Sequence, residues 1–449
     1  MRIISTLIST FFCSSLLFAQ TGWKAGTARA IITPKESMWM AGYGGRTKPA
    51  EGKMHELWAK ALAIEDEQGN KALLITTDIL GFSKEVADNV RKELQRQHNL
   101  APAQVLLSSS HTHSGPVLSN ALVDIYPLTP EETSKIERYT AQFQQEIIKI
   151  SNEALRNLKP AQVFTGSGIA RFQVNRRNNV EAQITEVFEL KGPNDHSVPV
   201  LKVTGSDNQP IAIVFGYACH PTVLSGYEWS GDYPGFTQIE LEKRYPGATA
   251  MFFQGAAGDL NPLPRRTRGI AEQYGHDLAN AVTRVLEEPM KPLSAKLETA
   301  YYEINLGLLP GPAAQELEKM ISTQSGYIKR WAERMLANQK AGKNYITTYP
   351  YPVQVWKIGE QPLVSLGGEV TIEYTLKIKN MLGNNVFVSA YNNDVMAYIP
   401  SLTVWREGGY EGDTSQKVYG MPAKWEPSLE AEILLKVYEL SKKVGIATP

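Results

Sequence analysis

"AQVLLSSSHTHSGP", residues 103–116, runs from a short apolar stretch into two histidines spaced two apart. The stretch has the length and composition of a buried strand, and the histidines lie where such a strand ends. The chain holds only seven histidines in 449 residues, so two of them within three positions need an account. If the strand continues through them, His111 and His113 share one face, because strand side chains repeat every two residues. Two neighbouring imidazoles on one face suit metal work: one ligates, and the other ligates or carries protons. Taken alone, the pair is equally compatible with ordinary surface or core residues.

Working outward, strand-like and helix-like runs alternate. Residues 58–80, "WAKALAIEDEQGNKALLITTDIL", read as two strands joined by a turn at Gly69 and Asn70. Val86, Val90 and Leu94 give residues 83–100 helical spacing, and residues 134–158 read as a long amphipathic helix. "PIAIVFGYACHP" (210–221) and "ATAMFFQGAAGD" (248–259) are apolar strands that end in loops bearing His or Gly. Residues 269–288 are helical again. The alternation predicts an α/β fold with a mixed sheet, in one catalytic domain. Residues 311–340 are helical and charged, and read as a helical insertion or lid before further strands in 351–371 and 385–400.

Composition narrows the function classes. Lys plus Arg and Asp plus Glu are both 46, with no long run of one sign, which argues against nucleic acid and against a polybasic membrane patch. Residues 1–19 carry one early charge, an apolar stretch and Ala19, the pattern of a cleaved signal peptide, leaving 20–449 as the working domain. Cys13 raises a lipoprotein reading, but "STFF" before it makes a poor lipidation box. The expected location is therefore secreted or periplasmic. No other segment has the length of a transmembrane span, although peripheral membrane contact stays open. Cys219 is then the lone cysteine of the mature chain, which allows no internal disulfide; it reads more readily as a small buried hydrophobe than as a nucleophile.

Three further features sit at strand ends or loops. His220 ends an apolar run before Pro221, and strand ends are where α/β sites gather. Glu369 follows two glycines and reads as a helix-cap residue or as a ligand. Tyr398 and Tyr410 lie twelve residues apart in "AYIPSLTVWREGGYEG". Each has a plain packing explanation when taken alone.

Together with "HTHSGP", these segments resemble the neutral, non-lysosomal ceramidase family in the family's own order. "AGTARAIITP" (25–34) and "MAGYGGR" (40–46) resemble its opening, and "VNRRNN" (174–179) its Asn-Arg motif. "HPTVLSGYEWSGDYPG" (220–235) resembles its second histidine segment, and "QGAAGDLNP" (254–262) its Gly-Asp-x-Ser-Pro-Asn hexapeptide. "GGEVT" (367–371) and the paired tyrosines complete the match. The resemblance implies one zinc per chain on His111, His220, Glu369 and Tyr398. It implies His113 as the catalytic histidine, with Arg176 and Tyr410 facing the scissile carbonyl. Zinc-activated water would then cleave an N-acyl linkage such as that of ceramide, in a small-molecule or lipid acyl-amide substrate.

The departures are specific. The hexapeptide serine is Asn261 here, so a serine nucleophile at that position is excluded, while activated water needs none. "NRRN" leaves Arg177 as an alternative to Arg176. The chain ends at Pro449, shortly after Tyr410, so the resemblance is to a short secreted bacterial branch without the family's C-terminal β-domain. A zinc-dependent deacylase or esterase acting on acylated sugars or other lipids, and a non-catalytic binding relative, are the alternatives. A serine hydrolase finds no support, since no G-x-S-x-G elbow occurs.

Overall fold

The computed structural model describes residues 22–447, so the expected signal peptide lies outside the described residues. Eight strands carry the larger sheet: β1 (Trp23–Ile31), β2 (Trp58–Glu65), β3 (Lys71–Thr77), β4 (Val105–Ser109), β5 (Lys159–Ile169), β6 (Ser197–Thr204), β7 (Pro210–Tyr217) and β8 (Thr249–Gln254). Their order is β8-β7-β6-β5-β1-β2-β3-β4, with the short strand Lys291–Pro292 also paired to β5. The two outer pairs, β7/β8 and β3/β4, are parallel, and the pairings between them are antiparallel. A second sheet holds β9 (Leu297–Gly307), β10 (Thr348–Ile358), β11 (Gln361–Leu366) and β12 (Phe387–Ser389), with β11/β12 again parallel. The fold is therefore α/β with mixed sheets, as the alternation of runs predicts.

Period-two burial explains how the sheets stack. In β2, Ala59, Ala61 and Ala63 face the helices α1 (Lys84–His98) and α2 (Pro130–Arg156), while Leu62 and Ile64 face the second sheet. Small side chains on the helix side let α2 lie close. At Gly26 even a Cβ would come within 2.3 Å of the Ala154 carbonyl. In β7, Ile213 and Phe215 face α3 (Asp232–Arg244) and α4 (Arg268–Glu287), and Val214 faces the second sheet. On the far side, Val353, Val355 and Val364 pack against α7 (Glu373–Leu382) and α8 (Leu429–Lys443). The result is four layers, helix–sheet–sheet–helix, with a dry seam of Leu62, Leu74, Val214, Phe253, Trp356 and Leu363 between the sheets.

The helical insertion is α5 (Ala314–Thr323) and α6 (Gly326–Lys340), placed between β9 and β10. Trp331 anchors it, donating Nε1 to the Met421 carbonyl at 3.0 Å, and Arg334 grips the Asp124 carboxylate with two nitrogens.

One arrangement decides where a site can form. The larger sheet curls so that its two edges, β4 and β8, approach each other. The segment after β12 closes the gap. Ala390 donates its N–H to Gln254 at the end of β8, and Ser109 at the end of β4 donates to Tyr391. Asn393 N–H goes to Leu107, and the Asn393 side chain accepts from Leu107 N–H at 3.1 Å. Tyr391 and Asn393 both take positive φ, at 59° and 65°, to make this turn. The C-terminal ends of the three parallel pairs in these two sheets thereby open into one place.

The inter-sheet seam should dominate stability. Trp356 is buried there and donates Nε1 to the Ala103 carbonyl at 2.7 Å. Trp356→Ala should lower the unfolding free energy by about 3–5 kcal/mol in denaturant titration. A loss under about 1 kcal/mol would contradict this assignment of the core.

Candidate metal centre

β4 stops at Ser109, so the strand does not continue through the histidines as the spacing alone suggests. His111 instead takes a left-handed backbone, φ 63°, which turns its ring under the chain. Its N–H bonds the Ile79 carbonyl, and its Nδ1–H donates to the Leu80 carbonyl at 2.6 Å. His220, after β7, is held the same way: Nδ1–H donates to Ala257 at 2.6 Å, with Leu260 further off at 3.2 Å. Each bond commits Nδ1 to the main chain and leaves Nε2 to face the site. Both rings are fully buried.

Glu369 sits on a two-residue strand, Glu369–Val370, paired in parallel with Tyr398–Ile399, so Glu369 and Tyr398 are direct neighbours. This is a strand position and not the helix-cap alternative. Its Oε2 lies 2.9 Å from His220 Nε2 and 3.2 Å from His111 Nε2. Burial alone would raise the Glu369 pKa, but the two imidazoles reverse this and hold it well below the usual carboxylate range. Burial pushes His220 down to about 4. The Nε2 atoms of both imidazoles and a carboxylate held in its charged form thus converge, a set that a shared proton or a cation stabilises. His113 joins it, with Nε2 3.3 Å from His111 Nε2. The ligating atoms of His111, His113 and His220 lie within 4.8 Å of one another, so this group can hold a metal ion.

His113 differs from the other two. It is half-buried, and its Nδ1 has no partner among the described residues. Burial, then the neighbouring His111 and His220, push its pKa well below the usual histidine value. Its ring packs on Tyr43 at 4.8 Å and over Gly42, where a Cβ would lie 2.5 Å from its Cγ; Gly42 also has φ 107°.

Arg176 and Arg177 separate cleanly. The short antiparallel pair Gln173–Asn175 and Leu260–Pro262 sets Arg176 facing Tyr398, whose hydroxyl accepts from Nη2 at 3.1 Å. Arg176 also donates to Glu411 at 2.7 Å and to Asn261 Oδ1 at 3.3 Å. Arg177 points to Glu411 and Glu407 instead. Tyr410 flanks the pair: its ring is 5.3 Å from Tyr398 and 5.9 Å from the Arg176 guanidinium. The structure therefore gathers every expected site residue. Asn261 serves as an acceptor for Arg176, and Cys219 is buried beside the site with its thiol pushed well up by burial.

Several neighbours were not singled out in the sequence. Tyr419 donates its hydroxyl to Glu369 Oε1, Tyr391 stacks 4.3 Å from His111, and Glu411 bridges both arginines. Only local turn residues mark these positions, the "YNND" of 391–394 and the "YGMP" of 419–422. Asp259, by contrast, is expected from the sequence to satisfy backbone N–H groups in its loop; it is buried and accepts from Ile372 N–H and from the Asn175 side chain.

The model of the neutral/alkaline non-lysosomal ceramidase N-terminal region matches residues 23–269. The chain belongs to that family. Neutral ceramidase B of Dictyostelium discoideum is 27% identical over 248 residues, covering 50% of this chain and 33% of that protein. The neutral ceramidase of Pseudomonas aeruginosa is 24% identical over 253 residues, 54% of this chain and 37% of its own length. The match thus spans about a third of the length of these curated relatives. Among solved structures, a ceramidase complexed with C2 superposes with a TM-score of 0.74 at 17% identity, covering 95% of this chain and 76% of that one. The crystal structure of the Pseudomonas aeruginosa neutral ceramidase gives 0.73 at 18%, with the same coverage. These likenesses confirm the fold.

The buried, neutral His220 predicts a pH effect. Its folded pKa, about 4, lies below the unfolded histidine value of about 6.5, so the unfolded chain binds the extra proton between them. This contribution to stability is complete above about 6.5 and is lost as pH falls toward 4. Asp232 and Asp259, both raised to about 6 by burial, act in the opposite sense over part of that window. The comparison with His220→Gln isolates the histidine: the variant should lose less stability than wild type between pH 6.5 and 4 in metal-free denaturant titrations. Parallel pH curves would contradict it.

Proposed function

We propose that the protein is a secreted zinc-dependent amidohydrolase that cleaves an N-acyl linkage of the ceramide type. The observation that carries this reading is the convergence of His111 Nε2 and His220 Nε2 on Glu369 Oε2, with His113 on one side and Arg176 on Tyr398 on the other. His111, His220, Glu369 and Tyr398 would hold the ion. Zinc accepts such a mix of nitrogen and oxygen donors, and when bound it supplies the Lewis acidity that makes water nucleophilic near neutral pH.

The chain's own residues then have separable tasks. An amide is a poor electrophile, and its amine leaves only when protonated. His113, neutral and next to the cluster, takes the proton of the attacking water and returns it to the departing nitrogen. Negative charge gathers meanwhile on the former carbonyl oxygen. Three of the five N–H groups of Arg176 are committed to Glu411, Asn261 and Tyr398, leaving one on each terminal nitrogen for that oxygen. Glu411 fixes the guanidinium, so little reorganisation accompanies the charge. Tyr410, a phenol and so protonated at neutral pH, is the second donor. Each donor contributes about 2–4 kcal/mol in the transition state by analogy with oxyanion holes. Asn261 has no nucleophilic oxygen and positions Arg176.

Support for export comes from residues 1–19, and no helix among the described residues is long and apolar enough to cross a membrane. Acylated sugars or other lipids remain the alternative substrates.

Metal analysis of the purified protein, paired with a panel of ceramides, simple N-acyl amides and acyl sugars before and after chelation, tests the reading. About one zinc per chain is expected, with amide cleavage abolished by chelator and restored by zinc. His220→Ala should lose most of the metal. His113→Ala should keep it and lose about 10²-fold to 10⁴-fold in turnover. Loss of metal with undiminished activity per bound zinc would instead make His113 a ligand.

Asn261→Ala should retain measurable hydrolysis. A wild-type protein that binds zinc, is inert on the whole panel and is switched on by Asn261→Ser would contradict the water mechanism.

A further inference from the structure

A cavity of about 280 Å³ adjoins the histidine–glutamate cluster. It shares two wall residues with that cluster: Leu80, whose carbonyl receives the His111 proton, and Tyr419, whose hydroxyl bonds Glu369. Much of its lining is aliphatic, for example Val117 and Met396.

Asp394 interrupts this lining. The residue is 3% exposed, and its peptide is fixed at both ends, by Gly368 N–H on its carbonyl and by its own N–H on Asn392. Tyr349 donates to Oδ2 at 2.6 Å. Oδ1 accepts no hydrogen bond among the described residues and keeps some accessible surface, while the residue lines the cavity. A carboxylate this buried ordinarily has a charge partner or a full set of donors.

The surrounding charges do not supply one. Lys84 lines the same cavity, but its ammonium is shared between Asp88 at 3.1 Å and Glu303 at 2.8 Å. Glu85 lines the cavity as well. Asp88 and Glu303 thus occupy the Lys84 ammonium, Glu85 accepts from the Asn120 amide, and Asp394 is left without an ion-pair partner among the described residues. Burial, with Asp88 and Glu303 adding to it, pushes Asp394 up to about 7 against the opposing pull of Tyr349 and Lys84. Its negative charge is thus poorly compensated within the chain, as in a receptor whose cation comes from outside.

We propose that this cavity is a subsite for an aliphatic limb ending in a protonated amine, with the ammonium seated on Asp394. The proposal rests on reading the adjoining cluster as the amide-cleaving centre, and it narrows the substrate to N-acyl compounds with an amino group at the far end of one limb. A plain alkyl limb would bury its methylenes but leave Oδ1 unpaired, and a site built around a polar partner discriminates strongly against a ligand lacking it.

Isothermal titration of the protein as purified tests this without turnover. The probes are butanoate, hexanoate and octanoate, each against its ω-amino counterpart, which present a product-like carboxylate to the centre and a tail to the cavity. At least one ω-amino acid should bind about tenfold or more tightly than its unsubstituted partner. Asp394→Asn should abolish that preference while keeping the side-chain volume, and Asp394→Leu should invert it in favour of the plain chain. If the leucine variant does not fold, the asparagine variant decides. The proposal is overturned if no member of the series prefers the amine, or if the preference survives Asp394→Asn. Because binding alone is read, a failure to cleave amides counts against the reading of the centre and not against the preference measured here.

Discussion

The backbone hydrogen bonds of residues 390–393 hold the molecule's chemistry together. The two parallel pairs of the larger sheet stand at opposite edges, and left flat they would deliver His111 and His220 far apart. The turn after β12 bonds Gln254 on one edge and Ser109 on the other, so the curl of the sheet closes on it. The turn is possible because Tyr391 and Asn393 accept left-handed backbone, and because the Asn393 amide also bonds Leu107 and Gln354. Ligand spacing here is a property of sheet closure and of no single loop.

Given that closure, orientation comes from carbonyl oxygens. Both buried imidazoles donate Nδ1–H to the main chain, at Leu80 and at Ala257, and so turn their other nitrogens toward Glu369. Tyr419 does the same for the carboxylate from the opposite side. Such outer partners fix tautomer and ring angle, and in metal sites they matter nearly as much as the ligands. His113 lacks a partner of this kind on Nδ1 and rests on Tyr43 and Gly42 instead. The ring's one polar contact among the described residues is Nε2 with His111 Nε2 at 3.3 Å.

Much of this is legible in the sequence, for identifiable reasons. Strands such as 210–217 and 249–254 are buried on both faces and read as continuous apolar runs. Strand ends are where α/β sites gather, which makes His111, His220 and Glu369 candidates, but only the family resemblance of their segments separates them from ordinary strand-end residues. What stays hidden is the division into two stacked sheets, since Val353 and Trp356 carry no mark of which layer each will face. The choice between Arg176 and Arg177 was equally closed, because it depends on the pairing of 173–175 with 260–262 and on the reach of Glu411. Tyr419 and Asp394 belong to loops whose partners are distant in the chain, and no local pattern signals them.

The central claim is that two imidazoles and two oxygen donors hold one ion while His113 stands outside the ligand set. X-ray absorption spectroscopy at the zinc edge on the metal-loaded protein measures this directly. The account predicts a first shell with two imidazoles and the remaining donors oxygen, unchanged in its imidazole number by His113→Ala. A shell of three imidazoles in the wild-type protein that falls to two in that variant would contradict it.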